Sequence, residues 1–132
     1  MAISISDSIQ CVGLPIIVTS SKPHLNFLID TGASLNVIFS FVYEGLPDYF
    51  NLLDSEKSMY GIEGNVVNNR QVKATIEIEN TKAETIFSVL EADEVVYRMQ
   101  QENGFQLHGI LGSKFLADNK WIIDYDNLQI LT

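Results

Sequence analysis

The sequence predicts a mainly β fold: a closed sheet or small barrel with only brief helices. Three observations carry this. Apolar runs of strand length recur along the chain, separated by short clusters of Gly, Pro, Asn, Asp and Ser. Between residues 72 and 79 apolar and polar side chains alternate strictly, as on a half-buried antiparallel strand. Two apolar stretches each run into a glycine and then a short helical segment, over 29–44 and 110–118, so the chain reads as two similar halves.

In chain order, Ile3 and Ile5 alternate with serines, and Ile16-Ile17-Val18 is closed by Ser20-Ser21-Lys22-Pro23, which is turn chemistry leading into a second strand. That second strand, Leu25-Asn26-Phe27-Leu28-Ile29, ends in Asp30-Thr31-Gly32-Ala33-Ser34. Val37 and Ile38 continue as a short strand, and Ser40 is placed to cap a helix over 41–44 that Gly45 and Pro47 end. Residues 48–54 read as an irregular connection. Lys57 to Tyr60 and Val66-Val67 flank Gly61-Ile62-Glu63-Gly64, a hairpin with a glycine on either side of its tip.

Val72, Ala74, Ile76 and Ile78 form the inner face of the next strand, and a turn at 80–82 returns it through 83–90 with Phe87 and Val89 inward. A helix follows over 93–102, with acids in its first turn, Asn103-Gly104 as its stop, and Val95, Val96 and Met99 toward the body. Residues 105–111 read as a buried strand, Ser113 as the cap of a helix over 114–118, and 121–125 as a strand paired with 128–131 across an Asp126-Asn127 turn.

Composition narrows the function classes. A length of 132 residues with 46% hydrophobic and 19% charged residues fits one globular domain spanning 1–132. A net charge of −9 argues against nucleic acid as a partner, since phosphates call for a basic surface. No apolar run reaches membrane-spanning length and the first residues lack a signal-peptide pattern, so the expectation is a cytoplasmic protein with no membrane partner. Cys11 is the single cysteine, which excludes an intrachain disulfide and a thiol metal site and is read as a buried small hydrophobe. His24 and His108 stand apart from any ligand or triad spacing and read as packing residues; Asp124 and Asp126 belong to a turn. No metal and no cofactor is expected.

The most informative stretch is Asp30-Thr31-Gly32-Ala33, a carboxylate, a hydroxyl and a glycine at the end of an apolar strand. Alone the tripeptide fits an ordinary turn. Together with the glycine-flanked hairpin and with Gly109-Ile110-Leu111-Gly112-Ser113-Lys114-Phe115-Leu116 some eighty residues later, it resembles the retropepsin-like aspartic proteases, viral and bacterial, over about residues 16–131. The resemblance implies their acid-protease fold: one half of a C2 homodimer, a closed β-barrel with a flap hairpin.

It also implies the chemistry. Peptide hydrolysis by carboxyl groups needs one carboxylate to take a proton from water and one protonated carboxyl to polarise the scissile carbonyl. The second half of this chain offers no second acid at the matching glycines, so the partner is Asp30 of another copy. Catalytic roles then fall to Asp30, to Thr31 beneath the pair, and to Gly32, whose N–H points at the carboxylates. Ala33, Tyr60, Gly61, Ile62 and Gly64 would contact a polypeptide substrate, the last four from the flap. Ala33 lacks the hydroxyl that pepsin-like enzymes often carry there, which implies a less acidic optimum than theirs. Two departures stand out: His108 occupies a position that is often Asp in bacterial relatives, and the 93–104 segment is longer than in the compact viral pattern. Viral enzymes dimerise through their chain termini, making the terminal hairpin 121–131 the candidate surface. The alternatives are a catalytically weak or inactive peptide-binding or dimerisation module of the same fold, and a subunit that pairs with a different chain.

Overall fold

The computed structural model describes residues 1–60 and 66–132, with the stretches 54–60 and 66–69 described by their backbone alone. The expected hairpin tip, including Gly61, Ile62 and Gly64, lies outside the described residues. In chain order the elements are β1 (Ala2–Ser4), α1 (Ser6–Val12), β2 (Ile16–Val18), β3 (Asn26–Asp30), β4 (Val37–Phe39), α2 (Ser40–Gly45) and β5 (Asn51–Tyr60). They continue with β6 (Val66–Ile78), β7 (Thr81–Leu90), α3 (Glu94–Asn103), β8 (Gly109–Gly112), α4 (Ser113–Asp118), β9 (Ile122–Asp124) and β10 (Gln129–Leu131).

Two sheets result. Seven strands run in the order β2-β3-β8-β4-β7-β6-β5, and the chain ends form a three-stranded sheet, β1-β10-β9. The mainly β expectation holds, but the ladder is open, with β2 and β5 at its edges, rather than the closed barrel expected. The chain beyond β2 meets the end of the inner strand β6 and not the edge strand β5: Ser20 N–H donates to Glu77 O at 2.8 Å and its Oγ accepts from Glu79 N at 2.7 Å. Thr19 turns the chain away there: its Oγ1 accepts from Leu25 N and donates to Pro23 O, closing the turn between β2 and β3.

The antiparallel β2–β3 hairpin and the β6–β7 hairpin form as expected, with Val72, Ala74, Ile76, Ile78 and Phe87 buried. The core they share is aromatic at its centre. Phe27 stacks on Phe87 with ring centroids 5.6 Å apart, and Phe50 meets Phe87 edge-on. The terminal hairpin also forms, β9 pairing β10 antiparallel.

Several local expectations are corrected. Residues 6–12 form a helix that the serine-rich sequence hid; Gly13, at φ 74°, caps it by donating to Ile9 O, and the buried Ser8 Oγ accepts from Ile16 N, tying α1 to β2. Cys11 lies on the exposed face of this helix and is not a core residue. Ser40 and Ser113 are first helical residues, not caps: the capping positions are Phe39 and Gly112, with no side-chain bond. Asp93, by contrast, caps α3 by accepting from Val96 N, and Val95 points to solvent while Val96 and Met99 are buried. β5 starts at Asn51, inside the stretch read as irregular. The strand read over 105–111 is confined to β8, because Gln106 O takes the Asn26 side chain and His108 the Asn26 backbone before a regular ladder begins.

Candidate active site

Asp30 is the last residue of β3, which is held on both sides: antiparallel to β2 and parallel to β8, with Asp30 paired to Gly112. Alternation sends Phe27 and Ile29 into the core and leaves the Asp30 carboxyl half-buried at the strand end. Its Oδ1 accepts the Gly32 N–H at 2.9 Å, and its backbone O accepts the Ala33 N–H at 3.1 Å. Two donors therefore fold the loop back onto the aspartate and fix its orientation. A Cβ at Gly32 would come within 3.3 Å of Oδ1, a tight contact that would press on the carboxyl.

The loop is clamped from below by the second glycine motif. Ser113 N donates to Ala33 O at 2.8 Å, and Gly112 N donates to Asn36 Oδ1 at 2.9 Å. There is no room for a side chain between them: a Cβ at Gly112 would lie 2.6 Å from Ala33 O and 2.8 Å from Leu35 O. Gly109 is confined in the same way, since a Cβ there would strike Val37 O and the Phe27 ring. Leu111, between these glycines, is fully buried.

Asn36 was not singled out by sequence reasoning, and it is the hub of the loop. Its Oδ1 takes Gly112 N, its Nδ2 donates to Ile86 O at 3.3 Å, and its backbone O accepts Ser88 N at 2.9 Å. One side chain thus joins the Asp30 loop to β8 and β7. Its only trace in the sequence is an amide between apolar Leu35 and Val37, where a strand is beginning.

A cleft of about 310 Å³ opens over Asp30 and Thr31, walled by Leu14, Leu28, Ile123 and Tyr125. The cleft thus sets one carboxylate among mainly apolar walls. Thr31 is exposed at the cleft and Ala33 half-buried against Ser113. Of the expected site residues, Asp30, Thr31, Gly32 and Ala33 are brought together. Tyr60 ends β5 opposite Val66, with its side chain outside the described part, as are Gly61, Ile62 and Gly64.

His108 is a half-buried packing residue, whereas His24, expected to pack, is exposed. His108 Nδ1 accepts from Asn26 N at 2.8 Å, its ring tilts against Phe41, and burial pushes its pKa below the usual value. His24 Nδ1 lies 2.9 Å from Thr19 O. Asp124 closes the terminal turn by accepting from the Asn127 side chain and backbone and from Gln129; these bonds, that of the Asn127 side chain foremost, hold its carboxyl below the ordinary range. Among the described residues no three His, Cys, Asp or Glu side chains gather as a metal site.

No family model matches the chain, and no curated protein matches it in sequence. Solved structures do match in shape. The EIAV protease complexed with the inhibitor HBY-793 superposes with a TM-score of 0.58 at 22% identity, over 81% of this chain and 88% of that one. The chain has the retropepsin-like fold. A second retropepsin-like structure, the retroviral protease-like domain of Ddi1 from Leishmania major, superposes with a TM-score of 0.52 at 16% identity, over 89% of this chain and 87% of that one. The likeness thus extends along most of the chain.

Proposed function

We propose that the chain is an aspartic endopeptidase in which residues 1–132 form one domain and two copies form the active unit. The observation that carries this reading is the Asp30 carboxylate, fixed by the Gly32 N–H at the mouth of an apolar cleft and paired across the sheet with a glycine that has no room for a side chain. A lone carboxylate so placed is half of a dyad. Asp30 of the partner subunit, related by a two-fold axis, completes it.

Water between the two carboxyls attacks the scissile carbonyl carbon. The ionised Asp30 takes the water proton while the protonated one donates to the carbonyl oxygen; the tetrahedral diol then collapses and a proton passes to the departing amine. Thr31 and Gly32 hold the pair, and Ala33 with the 60–64 hairpin contacts the extended substrate. The three-stranded sheet of the chain ends is the dimer surface in this reading, and the exposed Ile122 of β9 supports that role. No helix among the described residues is long and apolar enough to cross a membrane.

The test is digestion of a pool of unstructured peptides by the wild-type chain and by Asp30→Asn at several protein concentrations. Cleavage that is lost in the variant and rises faster than linearly with concentration is the expected result. A folded, dimeric wild type without Asp30-dependent cleavage would favour the peptide-binding module, a reading with which the Ddi1 likeness is also compatible.

A further inference from the structure

β7 is an inner strand of the seven-stranded order, yet only its last three residues are paired on the β4 side, Ser88 to Leu90 against Val37 to Phe39. Before Ser88 it pairs with β6 alone, and among the described residues no other strand covers that edge. The direction of the free groups follows from alternation along a strand. Ser88 N–H points away from β6 to Asn36 O, and Ile86 C=O points the same way to Asn36 Nδ2. The N–H groups of Glu84 and Ile86 and the C=O of Glu84 therefore face the same open side.

This edge opens into a groove of about 460 Å³ whose opposite wall is α4, with Lys114, Phe115 and Asp118. The Asn36–Ile86 bond closes one end, and the bond from Trp121 Nε1 to Thr81 Oγ1, 3.1 Å long, marks the other. The edge between them spans about four residues, or about 13 Å. At the Asn36 end lies Ser88, 1% exposed, whose Oγ has no hydrogen-bond partner among the described residues. A buried hydroxyl in that state costs free energy until a donor or acceptor reaches it. The charges at the rim are already paired, Lys73 with Glu84 at 2.7 Å and Lys114 with Asp118 at 2.9 Å, and Ile86, 48% exposed, forms an apolar lip. The groove thus offers backbone groups, a hydroxyl and an apolar edge, and no unpaired charge.

We propose that this groove is a second peptide site, in which an uncharged, extended segment of three or four residues adds to β7 as a strand. Its carbonyls accept from the Glu84 and Ile86 N–H groups, its N–H donates to Glu84 O, and a hydroxyl side chain at the Asn36 end pairs with Ser88 Oγ. The groove shares no lining residue with the Asp30 cleft: Asp30 and Thr31 line the cleft, and Ser34, Leu35 and Asn36 line the groove. This site does not depend on the chain cutting peptides.

The test uses ¹⁵N-labelled Asp30→Asn protein, so that a peptide survives, titrated with acetyl-Thr-Val-Thr-Val-Thr-amide to about 1 mM. The expected result is a set of shifted and exchange-protected amides at Glu84 and Ile86. Glu84→Pro, which removes an outward N–H while sparing the β6 ladder, should abolish them. Ser88→Ala should weaken binding about fivefold, the equivalent of one neutral hydrogen bond, without lowering the melting temperature, because it deletes an unpartnered hydroxyl. Ser88→Ala decides the matter if Glu84→Pro does not fold. Shifts confined to Thr31 and Leu28, no shifts at that concentration, or wild-type binding by Ser88→Ala would overturn the proposal.

Discussion

Acidification should weaken this fold through His108, and the sign follows from geometry. The Nδ1 atom is the acceptor for Asn26 N–H, so the ring must be neutral at that nitrogen; burial, with no charged group contributing, pushes its pKa below the ordinary 6.5. The unfolded chain therefore takes up a proton near pH 6.5 while the folded chain resists until a lower pH. The contribution is intact above about pH 6.5 and declines as pH falls through the window below it. Protonation turns the acceptor into a donor facing another donor. Losing a hydrogen bond and orphaning the Asn26 amide costs about 1–3 kcal/mol, and because the ring is only half-buried the lower end applies, about 1 kcal/mol. For a domain of this size that is about 4 °C in melting temperature. His108→Asn supplies the comparison, since an amide oxygen can accept from Asn26 but does not titrate. Melting both proteins between pH 7.5 and 5.0 cancels the carboxylates common to them. The wild type should lose about 1 kcal/mol relative to the variant over that interval; identical pH dependence would refute the assignment. Asn26 begins the strand that Asp30 ends, so the same protonation loosens the base of the candidate site and disfavours a strongly acidic optimum.

Two substitutions probe the clamp beneath Asp30. Gly112→Ala places a methyl against two backbone oxygens that no side-chain rotation can relieve; it should cost about 1–3 kcal/mol in denaturant unfolding and reduce Asp30-dependent cleavage beyond what the stability loss explains. Asn36→Ala leaves Gly112 N–H without its acceptor and Ile86 C=O without its donor, and should cost about 1–3 kcal/mol, with faster amide exchange at Gly112 as the local readout.

The fold was legible where burial imposes a period or a turn imposes a residue type. The alternation at Val72 to Ile78, the glycine stops and the paired apolar runs located most strands, because one face of each had to be apolar. Two kinds of feature were not legible. The helix over 6–12 hides because its burial is carried by Ser8, Ile9 and Val12 among polar neighbours, with a tertiary bond from Ile16 N to Ser8 Oγ supplying what pattern does not. Open or closed sheet geometry likewise depends on how far Thr19 and Ser20 deflect the chain, which composition does not encode. At the candidate site the acid and the glycines stood out because few residue types meet their demands. Asn36 did not, because its role lies in partners at Gly112, Ile86 and Ser88, between 50 and 76 positions away.

That contrast bears on why the proposed carboxyl mechanism calls on a second copy. β3 and β8 run parallel, each reaching its glycine-containing end beside the other, and they are the two comparable strand ends of the chain's halves. Only β3 carries an acid. At Gly112 the space a carboxylate stem would need is taken by Ala33 O and Leu35 O, the same oxygens that hold the 31–36 loop in place. An acid introduced there would displace the loop that orients Asp30, so one chain cannot gain a second carboxylate at this position without disturbing the first. The contacts that make Asp30 rigid thus leave no room for a second carboxylate at Gly112, and the proposed two-carboxyl mechanism draws its other member from a second copy.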